Sequence, residues 1–183
     1  MADRLTQKDW LARGLKTLAA DGHTALKAER LAKALSVSKG SFYWHFKDVD
    51  DFCDQLLDHW RTITTDRVIR EIEGAAAGST RLSLLMLGAF RRSKHDKLDQ
   101  AVRVWALHDR RVAQRLVSVD QIRIEFLCAL LEAEGVGSRQ AMRRARFIYA
   151  ASLGDRLIAG KAAHDFEEDD IAELASLFFA SDC

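Results

Sequence analysis

The sequence predicts an all-α protein, and three observations predict it. No proline occurs in 183 residues, apolar residues recur at helical spacing in segment after segment, and no stretch alternates with the period of a strand. Glycines supply the stop signals, so helices can run long between them. With 48% hydrophobic and 30% charged residues, the chain can bury a core in one domain or in a small head joined to a larger body.

The first helix opens in Leu5-Thr6-Gln7-Lys8-Asp9-Trp10. Thr6 is its N-cap, Asp9 three residues on approximates a capping box, and Leu5 and Trp10 are placed as a hydrophobic staple. Leu11, Leu15 and Leu18 form the buried stripe, and Gly22 is expected to end the helix in left-handed conformation. A short second helix follows over 28–35 with Leu31 and Leu35 inward, Ser36-Val37 turns the chain, and Ser38 caps a third helix. Along that third helix, 100° per residue puts Phe42 and Phe46 in a small core with Val37, Leu31 and Leu35. Gly40, Tyr43, Trp44 and Lys47 fall on the opposite side, with Lys39 at its margin. Rings turned outward either meet a partner or pack on a neighbouring helix, and the pattern leaves both readings open.

Asp48 and Asp51 start a fourth helix that runs to about Ile72, with Phe52, Leu56, Trp60 and Ile63 on one face; acids suit its N-terminal dipole end. Gly74-Ala-Ala-Ala-Gly78 then breaks the pattern. Further helices are expected over 79–94 with Ser79 as cap, 98–107, 109–134 with an interruption allowed near Ser118, 138–160 with Ser138 as cap, and 167–180. The domain organisation is therefore a head over 1–47, a connecting helix over 48–73 and a body over 74–183.

Composition narrows the function classes. No apolar run reaches the roughly 20 residues that cross a bilayer, and the start MADRLTQKDW lacks the apolar core of a signal peptide, so no membrane partner is expected and the protein is expected in the cytoplasm. Cys53, Cys128 and Cys183 form no C-x-x-C pair, which offers neither a disulfide framework nor a zinc site. Cys53 and Cys128 read as small core residues and Cys183 as an exposed tail. Net charge is +1, yet residues 1–47 hold nine Lys/Arg against four Asp/Glu, a basic head that suits an anionic partner.

His-Asp pairs at His95-Asp96, His108-Asp109 and His164-Asp165 raise the alternative of a metal-dependent phosphohydrolase. Such enzymes need further ligands converging on one metal, and pairs at helix ends are more simply caps. There is no glycine-rich phosphate loop and no G-x-S-x-G nucleophile turn. No catalysis, metal or cofactor is expected.

Two short helices joined at Ser36-Val37, with another packed against them, form a helix-turn-helix, a motif whose second helix enters the DNA major groove. The run LAKALSVSKGSFYWHFKDVDDFCDQLL resembles the DNA-binding signature of the TetR-type transcriptional repressors, in which an Ile/Leu-Ala pair, a Leu-Gly-Val-Ser turn, a Leu/Phe-Tyr pair, an aromatic-His segment and a following Lys recur in order. The resemblance covers about residues 6–60, and the all-helical remainder suits the family. It implies DNA-contacting positions at Lys39, Gly40, Ser41, Tyr43, Trp44, His45 and Lys47. It also implies a homodimer on a palindromic double-stranded operator, released when a small-molecule effector occupies the body; a ligand-independent DNA-binding protein is the other DNA-binding reading.

Three residues depart from the signature. Lys27 stands where a capping Thr or Ser is usual, and Ser36 replaces the turn glycine, at a cost if its φ is positive. Glu29 falls beside positions that often touch DNA; it either reads a cytosine amine or pairs with Lys33, and the i,i+4 order favours Lys33. In the body, Met86, Phe90, Trp105, His108, Phe126, Tyr149 and Arg156 either line an effector pocket or are ordinary core. Ala141, Ala145, Ile148 and Ser152 make a small-residue stripe that permits close helix approach. With Ile171, Leu174 and Phe178 they are the expected dimer interface. The connecting helix, through Ile63 and Ile72, is the expected lever between effector and DNA-binding spacing.

Overall fold

The computed structural model describes residues 5–75, 79–90, 96–157 and 167–179, and every regular element among them is helical. The α-helices run in the order α1 (Gln7–Asp21), α2 (Ala28–Ala34), α3 (Lys39–Tyr43), α4 (Val49–Arg61), α5 (Arg67–Glu73), α6 (Ser79–Phe90), α7 (Asp96–Ala106), α8 (Arg110–Ala133), α9 (Ser138–Asp155) and α10 (Glu168–Phe179). The chain forms two compact units. One comprises Met1–Thr64 with Lys94–Val117, and the other Thr65–Ser93 with Ser118–Cys183.

In the first unit, α1 begins with the capping box its sequence encodes: Asp9 N–H meets Thr6 Oγ1 at 3.4 Å, and Thr6 N–H reaches Asp9 Oδ2 at 2.7 Å. Gly22 ends α1 at φ 77°, ψ 176°, so its φ is positive as expected while its ψ is extended rather than left-handed helical. Trp10, Leu11, Leu15 and Leu18 are buried, and α1 packs against α2, α4 and α7. At Gly14 an added Cβ would lie 2.5 Å from Phe52 Cζ and 2.8 Å from Leu56 Cδ1. The glycine thus permits the close approach of α1 and α4. Trp60 is fully buried on α4 and donates its indole N–H to the buried carboxylate of Asp99 on α7, at 3.2 Å. The sequence reading assigned α7 to the body; it is part of the compact unit that holds the helix-turn-helix.

The expected single helix from Asp48 to Ile72 is interrupted. Thr62–Asp66 form a π turn between α4 and α5. At this turn Thr62 Oγ1 donates to Asp58 O at 2.9 Å and Thr64 Oγ1 to Trp60 O at 2.8 Å, back-bonding of hydroxyls to i−4 carbonyls that tends to bend helices. By contrast α8 runs without a break at Ser118. Ser138 is the first residue of α9 rather than its cap, which is Gly137 with extended backbone. Ser79 is the first residue of α6 rather than the residue before it, while the tail at Cys183 and most of the break over 74–78 lie outside what the structure describes.

The second unit is built around Leu82, Met86 and Phe90 of α6, Leu127, Cys128 and Leu131 of α8, Ala141, Ala145 and Ile148 of α9, and Ile171 and Ala175 of α10. Helix α6 lies against α5, α9 and α10. Among the described residues, no helix is long and apolar enough to cross a membrane.

Candidate nucleic-acid interface

The turn between α2 and α3 fixes the interface. Val37 N–H bonds to Ala32 O at 3.0 Å and Ser36 N–H to Lys33 O at 3.2 Å, with Ser36 at φ 57°. This is the paired hydrogen-bond pattern of a Schellman ending, and Ser36 holds the position a glycine fills most easily. Lys27 precedes α2 without a side-chain cap bond, so both ends of α2 carry the weaker residues noted in the sequence. Ser38 has extended backbone at the start of α3 but makes no side-chain cap bond.

Below α3 lies an aromatic core. The ring of Phe42, fully buried, sits 5.4 Å from Trp10, 5.1 Å from Phe46 and 5.4 Å from Phe52, centroid to centroid. Phe46 and Phe52 meet edge to face at 4.9 Å, a favoured aromatic geometry. This core turns the rest of α3 outward. Tyr43 is 48% and Trp44 81% exposed, and Lys39, Gly40 and Lys47 are exposed too. Trp44 therefore faces solvent rather than a neighbouring helix. At Gly40 an added Cβ would meet only Ser38 Oγ, at 3.7 Å, so nothing in the chain itself requires a glycine there. Ser41 and His45 are half-buried, and His45 leans on Trp10 and Phe46.

Lys47 is held by its backbone. Its N–H donates to Asp51 Oδ2 at 2.9 Å while Asp51 N–H donates to Asp48 Oδ1 at 2.8 Å, which caps α4 and leaves the Lys47 side chain outside. The Gln55 amide and the Lys47 N–H hold the Asp51 carboxyl below its ordinary range.

Glu29 corrects the sequence reading. It pairs with Lys39, whose Nζ lies 2.6 Å from Glu29 Oε1, and not with Lys33 one turn along its own helix. The turn at Ser36 brings the start of α3 over the start of α2, and that tertiary approach wins over the local i,i+4 preference.

The other expected site residues separate. Met86, Phe90, Phe126 and Tyr149 belong to the core of the second unit or pack against it, and Arg156 is half-buried there. Tyr149 donates its hydroxyl to Asp120 at 2.6 Å, beside Arg123, whose Nε donates to Thr65 of the π turn at 2.9 Å. Trp105 and His108 fall in the first unit, where both stack on His23 at centroid distances of 5.7 and 5.9 Å. Asp109 caps α8 through Arg111 N–H at 2.8 Å, so this His-Asp pair is spent on a helix end. Positions 95, 164 and 165 lie outside the described residues. Burial, with Asp50 and Asp54 near, pushes the Cys53 thiol up to about 12, which leaves it neutral and inert.

The small-residue stripe is internal. Ala141, Ala145, Ile148, Ser152 and Ile171 are each no more than 2% exposed, because α9 turns its small residues toward its own unit. Leu174 and Phe178 pack on that core as half-buried residues. The surface of α9 instead carries Phe147, 64% exposed, with its ring 6.1 Å from that of Phe178. Helical periodicity assigned two faces to α9 without saying which faces inward.

Comparison with known proteins agrees with this geometry. Residues 11–55 match the family model of bacterial regulatory proteins, tetR family. Solved structures share the fold over nearly the whole chain. NemR of E. coli, in reduced form, has 20% identity and a TM-score of 0.75 over 92% of this chain and 95% of its own. A TetR transcription regulator from Haloarcula marismortui has 20% identity and a TM-score of 0.72 over 97% of each chain. The transcriptional regulator FadR from Bacillus subtilis, solved with stearoyl-CoA, has 15% identity and a TM-score of 0.66 over 95% of this chain and 96% of its own. Among curated proteins, none matches by sequence. By sequence, then, the head matches the tetR family of bacterial regulatory proteins over residues 11–55, and the chain shares its fold over nearly its whole length with solved TetR regulators.

Proposed function

We propose that the protein is a transcriptional repressor that binds a palindromic operator as a homodimer and releases it when a small molecule binds the second unit. The observation that carries the DNA-binding part is the outward face of α3 and the turn that follows it: two exposed rings, Tyr43 and the C-capping Trp44, a glycine the fold does not need, Lys39 at the start of α3 and Lys47 in the turn before α4. Lysines neutralise phosphates or reach guanine, a glycine admits the DNA backbone, and ring edges rest against sugars or thymine methyls. Selection from random duplexes by gel shift tests it. The expected result is a two-fold symmetric sequence with half-sites about one helical turn apart; failure to enrich any sequence at low salt would overturn it.

The effector is proposed to lie among Met86, Phe90, Phe126 and Tyr149, with Arg123 and Asp120 as the polar groups beside them. Supporting this reading, FadR, similar in fold, was solved with stearoyl-CoA.

The homodimer is proposed to form through Phe147 rather than through the buried stripe. Arg139, Arg143 and Arg146 are exposed on α9, and Asp169, Asp170 and Glu173 on α10. A two-fold axis that sets α9 of one protomer against α10 of its partner matches basic to acidic twice and covers Phe147. Phe147→Glu is expected to raise the dimer dissociation constant about 30-fold or more, as for a central aromatic anchor. Light scattering at micromolar concentration would then read 20.6 kDa for the variant and twice that for the parent. A parent of 20.6 kDa would contradict the dimer.

A further inference from the structure

The pairing of Glu29 with Lys39 puts a carboxylate on a face otherwise built for an anion. Both side chains are well exposed, at 74% and 52%, so neither is there to satisfy the core. Glu29 opposes every phosphate that approaches, whatever the sequence, which is costly for a protein that only needs to grip DNA. The hydrogen bond between them is the main reason the Glu29 carboxyl is held below its ordinary range and the Lys39 ammonium above its own; Lys27 adds to the first and Tyr43 to the second. Those four residues therefore form one patch at the start of α2 and α3, and the pair is charged throughout the physiological range.

What the pair offers is a donor beside an acceptor, 2.6 Å apart. Lys39 Nζ has three protons and spends one on Glu29, leaving two; the carboxylate has lone pairs to spare. The major-groove edge of a G·C pair presents the complementary set, guanine N7 and O6 as acceptors and the cytosine N4 amine as the adjacent donor. An A·T pair oriented the same way gives the ammonium one acceptor, adenine N7, and sets thymine O4, a second acceptor, against the carboxylate; the reversed T·A pair gives the ammonium thymine O4 alone, with the methyl against it.

We propose that Glu29 and Lys39 act as one read-out unit for a G·C base pair in each half-site, Lys39 donating to guanine and Glu29 accepting from the cytosine amine. The inference rests on the DNA-binding reading above. It gives Glu29 a reason to be there: the charge that penalises binding to all sequences is compensated where a base amine faces it, and the two acceptors of guanine beside the cytosine amine make G·C the pair that satisfies both side chains, so the unit works as a specificity device.

The test is selection from random duplexes with the full chain and with Glu29→Ala, Lys39→Met and Glu29→Gln, each checked for an unchanged melting curve. The parent is expected to enrich G·C at one position per half-site. Glu29→Ala and Lys39→Met should each lose about tenfold or more of the discrimination at that position alone, and Glu29→Gln, which keeps an acceptor, should retain part of it. Glu29→Ala should also bind unrelated duplexes more tightly, with a steeper salt dependence, because Lys39 is freed for phosphate. If Glu29→Ala changes affinity for all sequences by one factor and leaves the G·C preference intact, or if the position enriched through Lys39 is A·T, the inference fails while the DNA-binding reading stands. A parent that enriches no sequence would overturn both.

Discussion

Phe42→Ala is expected to destabilise the first unit by about 3–5 kcal/mol, the range for truncating a buried aromatic ring, and to abolish DNA binding from a position with no exposed surface. Phe42 is in ring contact with Trp10, Tyr43, Phe46 and Phe52, so its loss opens a cavity at the junction of α1, α3 and α4. Helix α3 has five residues, far too few to hold its conformation without tertiary packing. The outward face exists only because this ring anchors the inward one. Chemical denaturation followed by circular dichroism measures the effect. A loss under about 1 kcal/mol, below the usual range for such a truncation, would show that the head is not organised around Phe42.

The opposite signature is expected on the outward side of the same short helix and of the turn that follows it. Trp44→Ala should leave stability within about 0.5 kcal/mol, since its side chain faces solvent, and Tyr43→Ala should cost about 1 kcal/mol through its edge contact with Phe42. Each should nevertheless weaken operator binding about tenfold or more if the rings are buried in the complex. Lys47→Ala should act on all sequences alike and reduce the salt slope of log K by about one. The three together are expected to leave no measurable operator binding in a folded protein. An unchanged slope for Lys47→Ala would show that its ammonium does not touch phosphate, and retained affinity in the triple variant would remove α3 from the interface.

Local chemistry was legible in the sequence. The capping box at Thr6 and Asp9, the cap at Asp48, the inward Phe42 and Phe46 and the strained Ser36 all depend on residues within a few positions of one another, where spacing determines geometry. What escaped depended on partners far along the chain or on competition between two local bonds. Glu29 has an ideal i,i+4 partner in Lys33 but meets Lys39 because the turn folds α3 back over α2. The threonines of Thr62-Ile63-Thr64-Thr65 were visible, yet whether their hydroxyls take over helix carbonyls is settled by packing. Trp105 and His108 have the composition of pocket residues, and only the three-dimensional fold sends them to His23. Small residues on α9 permit close approach to any helix, and its own unit supplied one.

The central claim is that the outward face of α3 meets DNA, and the four tryptophans test it directly. Trp10 and Trp60 are 0% and Trp105 6% exposed, against 81% for Trp44, so iodide quenching of the protein's emission reports on Trp44 almost alone. Adding the selected duplex is expected to abolish the quenchable component, and Trp44→Phe should lack that component from the start. Quenching that persists unchanged with the duplex fully bound would contradict the account, because DNA would then be held by another surface.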